Sequence, residues 1–121
     1  MKIRLAQIAH ARSGDKADRA DIGLFAFDAA GYVFLKREVS AQRVAAHFAW
    51  LLKESQGTVE CYPLDNLLAL KFVLNGALAG GAARSLHSDN LGKTIAAVLL
   101  RMEIEVSDGF VVPAKAGIQR R

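Results

Sequence analysis

Hydrophobic residues recur along the chain with two periods, one typical of strands and one typical of helices. The clearest two-residue period is at the end of residues 1–106, where three apolar residues alternate with two glutamates. Another segment is apolar on both faces, which is typical of a strand in mid-sheet or beneath a helix. Together with two less regular runs, these patterns predict strands over 2–9, 20–28, 58–64 and 102–106.

Helical spacing appears in two segments. Ser40 is a predicted N-cap, because its hydroxyl can accept from the first-turn N–H groups of a helix over 41–54. A second helix is predicted to begin near Asp89. Periodicity leaves two stretches open, since 32–39 and 66–75 each fit a helix or a strand. The predicted inward-facing residues are Val44, Phe48, Leu51 and Leu52 in the first helix, and Leu91, Ile95, Val98 and Leu99 in the second.

Two amphipathic helices that alternate with strands predict an α+β fold in two layers. The economical order is βαββαβ, with both helices on one face of a mostly antiparallel sheet. The other face is then solvated or covered by a second copy. We assign residues 1–106 to this domain and 107–121, with Pro113 and a basic end, to an extension outside the core. The alternative for that tail is an ordinary strand around 110–112.

Composition narrows the classes of function. The chain has 121 residues, which is enough for one domain, and a net charge of +4. Its basic residues form no stripe, so we expect no binding to nucleic acid. No apolar run reaches the roughly 20 residues that span a bilayer, and the N-terminal residues do not fit a signal peptide. Cys61 is the only cysteine, so no internal disulfide can form and we expect a cytoplasmic protein. We also expect no metal and no cofactor.

A polar segment over 10–23 is the first candidate ligand site. Gly14 permits a tight turn, whose backbone N–H groups can bind an anion. Arg12 and Lys16, which are close to it in sequence, would add positive charge. The alternative is a solvated loop held by Arg–Asp pairs. The candidate binding residues are Arg12, Ser13, Gly14, Asp15, Lys16, Asp18 and Asp21.

A glycine-rich segment over 76–87 is the second candidate. Glycines let a backbone approach a ligand closely, and an arginine can clamp an acid or a phosphate. The alternative is a flexible, tightly packed crossover. If the two segments converge in space, one polar pocket is lined by Arg12, Lys16, Arg84 and Ser85. The candidate binding residues here are Gly80, Gly81, Arg84 and Ser85.

Signals for catalysis are weak, whereas one helix carries a signal for an interface. His10, His47 and His87 lie in separate elements and lack metal-ligand spacing. Trp50 points away from the apolar stripe of the first helix, beside Arg43 and His47. Exposed tryptophan next to arginine is typical of an interface anchor. The alternative is that Trp50 belongs to the core.

The segments "ARSGDKADRADIG", "NLLALKFVLNGALAGGAARSL", "DNLGKT" and "LLRMEI" occur in this order. They resemble the small C-terminal domain of the AtuA-like proteins of acyclic terpene utilisation, which also occurs as a free-standing chain. The resemblance implies a ferredoxin-like fold and a link to bacterial catabolism of terpenes or branched acyl compounds. It implies no established reaction for this domain.

This chain departs from the family pattern at several polar positions. It has Ala17 and Asp21 where the family usually has glycine and asparagine. It has Leu68 and Lys71 where histidine and asparagine are common, and Ala83 where threonine is. A site that depends on those side chains is altered or lost here.

The leading hypothesis is an accessory subunit that docks on a larger AtuA-type protein or on itself and binds an acidic ligand. The alternative is a small lyase or hydratase for an acyl acid, with Asp15, Asp18, Lys16 or His87 as acid/base groups and Arg84 as the substrate clamp. A third possibility is a ligand-sensing module.

Overall fold

The computed structural model describes residues 1–16, 19–77 and 91–107, with all of their side chains except those of 16 and 91–93. Within these residues the chain forms strands, α-helices and two 3-10 turns. The strands are β1 (Lys2–Arg4), β2 (Ala9–Lys16), β3 (Arg19–Ala26), β4 (Thr58–Leu64), β5 (Ala69–Asn75) and β6 (Glu103–Glu105). The helices are α1 (Ala29–Glu38), α2 (Ala41–His47), α3 (Ala49–Leu52) and α4 (Leu91–Leu100), and the turns are Leu5–Gln7 and Asp65–Leu67.

The strands form antiparallel sheets, which confirms the predicted α+β class. The larger sheet has the order β2-β3-β5-β4, and β1 pairs with β6 in a sheet of two strands. From β3 to β6 the chain runs strand, helices, strand, strand, helix, strand, as the βαββαβ pattern predicts. The structure adds β2 at the edge beside β3, while β6 pairs with β1 instead of joining the larger sheet.

The polar segment 10–23 is not the predicted loop. β2 and β3 pair in register from Ala9–Ala26 to Lys16–Arg19, so the segment lies almost entirely in a hairpin. The strand predicted over 2–9 is also shorter than expected. It ends at Arg4, whose backbone N–H donates to the Gln7 side chain at 2.9 Å and so starts the first 3-10 turn.

Side-chain caps explain where the first helices begin. Asp28 accepts a hydrogen bond from the Gly31 N–H at 2.7 Å, so the ambiguous stretch 32–39 is helical. Ser40 accepts from the Arg43 N–H at 3.1 Å, which confirms the predicted cap. The helix after Ser40 breaks into α2 and α3 at Phe48. The other ambiguous stretch, 66–75, is mainly the strand β5.

The helices cover one face of the four-stranded sheet. Ile22 and Phe72 are register partners in the middle of that face, and both are fully buried. α1 packs mainly on β3, α2 on β4 and α4 on β2. Buried side chains from both sheets and all described α-helices form one cluster. No helix in the described ranges is long and apolar enough to cross a bilayer. Most side chains on the opposite side of the sheet are half-buried or exposed, and we call it the open face.

A hydrogen-bonded group joins α1 to the turn before β5. The hydroxyl of buried Tyr32 donates to the Asp65 carboxylate at 2.5 Å, and the Lys36 ammonium lies 3.2 Å from the same oxygen. Burial, followed by the hydrogen bond to Asp65, raises the pKa of Tyr32 to about 12. The hydrogen bond from Tyr32, followed by that from Lys36, lowers the pKa of Asp65.

We expect Tyr32→Phe to lower the free energy of unfolding by about 1 kcal/mol at pH 7, because one part-buried hydrogen bond is lost. The pKa of Tyr32 is higher in the folded chain than in the unfolded chain, so its hydroxyl stabilises the fold fully below about pH 10. That contribution is lost as the pH rises toward about 12. The variant therefore loses less stability than the wild type over this range in urea titrations. Tyr62→Phe, which removes an exposed hydroxyl, is the control and keeps most of the alkaline sensitivity. If Tyr32→Phe and the wild type lose equal unfolding free energy between about pH 10 and pH 12, the Tyr32 hydroxyl is not the group responsible.

Candidate functional site

Antiparallel register brings side chains of all four strands into rows across the open face. One row, which we call the basic row, has Gly23 between its partners Arg12 on β2 and Lys71 on β5. Tyr62 on β4 is the partner of Lys71 and completes the row. Two cationic side chains thus flank a position that has no side chain.

A depression of about 290 Å³ lies over this part of the open face. Its lining combines two cations and a carboxylate with an aromatic ring and a leucine. The lining residues are Arg12, Ser13, Gly14, Asp21, Gly23, Phe25, Leu64 and Lys71. A second depression of about 220 Å³ adjoins it, since Asp21 and Lys71 line both.

Gly23 lets an aromatic ring fold back over the sheet. A Cβ at this position would lie 2.8 Å from the Phe25 ring, so a side chain here would displace that ring. The His10 ring stacks on the Phe25 ring, with 5.0 Å between their centroids and 7° between their planes. The centroid of the Phe27 ring lies 6.1 Å from that of His10. Partial burial, followed by the charge of Arg12, lowers the pKa of His10. The aromatic cluster therefore gives the depression an apolar end.

A polar network occupies the β4 side of the open face. The Tyr62 hydroxyl donates to one oxygen of Glu60, and the Asn75 amide donates to the other at 2.8 Å. These bonds, Tyr62 first, lower the pKa of Glu60, and Arg19 contributes as well. The hydrogen bond to Glu60 raises the pKa of Tyr62. Both oxygens of Glu60 are thus engaged within the chain.

The cations of the basic row are not neutralised by ion pairs with other described residues. No ion pair within 4 Å joins Arg12, Lys71 or Asp21 to another residue in the part of the chain that the structure describes. A guanidinium and an ammonium over a glycine suit a carboxylate or phosphate, because charge-assisted hydrogen bonds are stronger than neutral ones. Phe25 and Leu64 suit an apolar group attached to that acid.

The structure brings together part of the first predicted site. Arg12, Ser13, Gly14 and Asp21 line one depression. Asp15 pairs with Ala20, which is buried on the helix side of β3, so it lies on the other side of β2 from Arg12. Lys16 ends β2 as the register partner of Arg19. The predicted residues outside the described ranges are Asp18, Gly80, Gly81, Arg84, Ser85 and His87. The predicted convergence of the two segments therefore stays a prediction, as does the role of 107–121.

Sequence reasoning missed the β5 contribution to this site. Lys71 is the single charged residue in an otherwise apolar run, a signal that was readable only once the run was taken as a strand. Two-residue alternation then puts Lys71 and buried Phe72 on opposite faces. Asp21 and Lys71, two positions where the chain departs from the family pattern, line the same depression.

The three predicted interface residues have different surroundings. Trp50 is 47% exposed, so the alternative that it belongs to the core is wrong. The His47 ring hydrogen-bonds the Val98 carbonyl at 2.7 Å and ties α2 to α4. Arg43 donates to the Glu38 carbonyl at 2.9 Å. An interface at these residues stays a prediction, with Trp50 and Arg43 as its exposed members.

Two further observations concern reactive groups. Cys61 is half-buried on β4, and burial raises the pKa of its thiol, which disfavours a reactive thiolate. Among the described residues, no group of three or more histidine, cysteine or acidic side chains is placed to hold a metal ion.

Comparisons with known proteins place the chain in a family. No curated protein and no solved structure matches it. The family model of the AtuA ferredoxin-like domain matches residues 3–105, which include every described strand except the first residue of β1. The chain therefore belongs to the AtuA ferredoxin-like domain family.

Proposed function

We propose that this chain is an accessory domain that binds a small organic acid on its open face. One observation carries the proposal: Arg12 and Lys71 flank Gly23 in register, next to an apolar end formed by Phe25 and Leu64. The acid group lies between the two cations, and the apolar part of the ligand lies against the aromatic ring.

The charge and shape of the depression support an acid with an apolar portion. Asp21 also lines it, so an anion is favoured at the Arg12–Lys71 end and disfavoured next to Asp21. The ring of Phe25 stacks on His10 on one side, and it occupies space that a side chain at position 23 would fill. A branched or aliphatic acyl group matches this surface, because apolar area removed from water stabilises the complex.

Family membership supports a link to AtuA-type proteins, since the matched model is the AtuA ferredoxin-like domain. We propose that the domain serves an AtuA-type assembly in the catabolism of terpenes or branched acyl acids. It docks there on a larger AtuA-type protein or on a second copy. Of the acid/base candidates in the alternative lyase or hydratase, Asp15 lies on the opposite side of β2 from Arg12 and so away from the proposed site. Asp18, His87 and the clamp Arg84 lie outside the described residues. Co-purification from the native host tests the assembly, and finding neither partner nor oligomer at micromolar concentration would refute it.

We expect Lys71→Gln and Arg12→Gln each to weaken binding of 3-methylbutanoate about five-fold, because each removes one charge-assisted hydrogen bond at an exposed site. Calorimetric titration at low salt and pH 7 measures the affinity. Arg101→Gln is the matched control, since Arg101 is exposed and does not line either depression. An equal loss in Arg101→Gln, or no binding of branched and straight acids to the wild type, would overturn the proposed site.

A further inference from the structure

Charged residues on the open face alternate in sign from row to row. Two positions further along the strands from the basic row, Asp21 and Glu60 flank Val73 in register, and we call this the acidic row. Two positions further again, Arg19 on β3 restores positive charge. The face is therefore basic, then acidic, then basic.

The two depressions join these rows into one groove. The first holds Arg12 and Lys71, the second holds Arg19 and Lys71, and Asp21 lines both. Gly23 of the basic row lies four positions from Arg19 on the same strand, which corresponds to about 13 Å at the rise of a β-strand. The two sites of positive charge are thus too far apart for one carboxylate and lie in one continuous surface.

The acidic row decides which part of a ligand can lie between them. Glu60 already accepts hydrogen bonds from Tyr62 and Asn75, whereas Asp21 has no ion pair with another described residue. A negative charge above Asp21 is repelled, and a neutral group is not. The groove therefore disfavours an anion in its middle and favours one at each end.

We propose that the ligand is a dianion, with a neutral middle and two acid groups roughly 10–13 Å apart that bind the basic row and Arg19. This inference rests on the proposed acid-binding function, keeps one acid group between Arg12 and Lys71, and names the class of acid. It places the neutral chain of the ligand over Val73 toward Arg19 instead of against Phe25 and Leu64. It adds Arg19 as the residue that selects dianions over monoanions.

The test compares dicarboxylates from butanedioate to dodecanedioate with monocarboxylates of equal length, by calorimetry at low salt. We expect affinity to rise with dicarboxylate length. The longer diacids should bind about five-fold more tightly than their monoacids, since a second charge pair forms. In Arg19→Gln this advantage disappears, and Arg101→Gln behaves as wild type.

The outcomes separate this inference from the proposed function. If monoacids bind and long diacids have no advantage, the inference is wrong and the proposed function stands. A diacid advantage that persists in Arg19→Gln also overturns the inference, because Arg19 is then not the second site. If no acid binds, both fail. Circular dichroism confirms that each variant is folded.

Discussion

Phe72→Ala is expected to lower the free energy of unfolding by about 3–5 kcal/mol, the usual cost of removing a buried phenylalanine. Phe72 is 0% exposed and lies in the central strand β5, between its partners Ile22 and Cys61. Neighbouring strands fix the backbone on both sides, so the cavity cannot collapse easily. Because domains have only about 5–15 kcal/mol of stability in total, the loss is a large share of it.

The adjacent residue provides the control for this prediction. Val73 is half-buried and lies on the open face, so Val73→Ala should cost at most about 1 kcal/mol. Urea denaturation followed by circular dichroism measures both variants. If both variants lose similar unfolding free energy, the helix-covered face of β5 is not more deeply buried than its open face, which would contradict the structure.

Gly57→Ala is the second change with a large expected effect, about 3 kcal/mol of destabilisation from overpacking. A Cβ here would lie 2.3 Å from the Asn75 carbonyl oxygen and 2.8 Å from the Leu52 side chain. The Asn75 oxygen belongs to the backbone of β5 and is held by the sheet, so it cannot move away at low cost. Gly57 also donates to the Leu52 carbonyl at 3.0 Å, which fixes the chain between α3 and β4.

Gly14→Ala is the matched control for Gly57. Among the described residues, an added Cβ at Gly14 meets only the Asp21 carboxylate, at 3.6 Å and 3.8 Å, which is ordinary contact. We expect this variant to change stability by less than about 0.5 kcal/mol, as is usual for surface substitutions. Thermal unfolding of both variants is the measurement. A Gly57→Ala chain as stable as Gly14→Ala would show that the connection before β4 is looser than described.

Elements with local signals were predictable from the sequence. The Ser40 cap and the alternating residues of 102–106 act through bonds and burial that a short segment determines alone. The helix after Ser40 and the strand β6 were found for that reason. The extra break at Phe48 has no such local signal, since no glycine or proline marks it.

The hairpin at 10–23 escaped sequence reasoning because β2 lacks an alternating apolar pattern. Its helix-facing side includes the small residues Ala9 and Ala11, and α4 packs there. Small residues let a helix approach closely but look unremarkable in a hydrophobicity pattern. The candidate site was found only in part for a related reason: Lys71 comes from a segment whose strand pairing on both sides, not its periodicity, determines its conformation.

The packing of α4 on β2 has a consequence for biosynthesis. When the ribosome has made the hairpin, the helix that covers β2 has not yet been translated, and one side of that strand faces water. Late docking of α4 completes the layer, so folding requires a contact between distant parts of the chain, and such contacts form slowly. The nascent chain thus exposes this side of β2 to chaperones and to aggregation until α4, which ends at Leu100, has emerged.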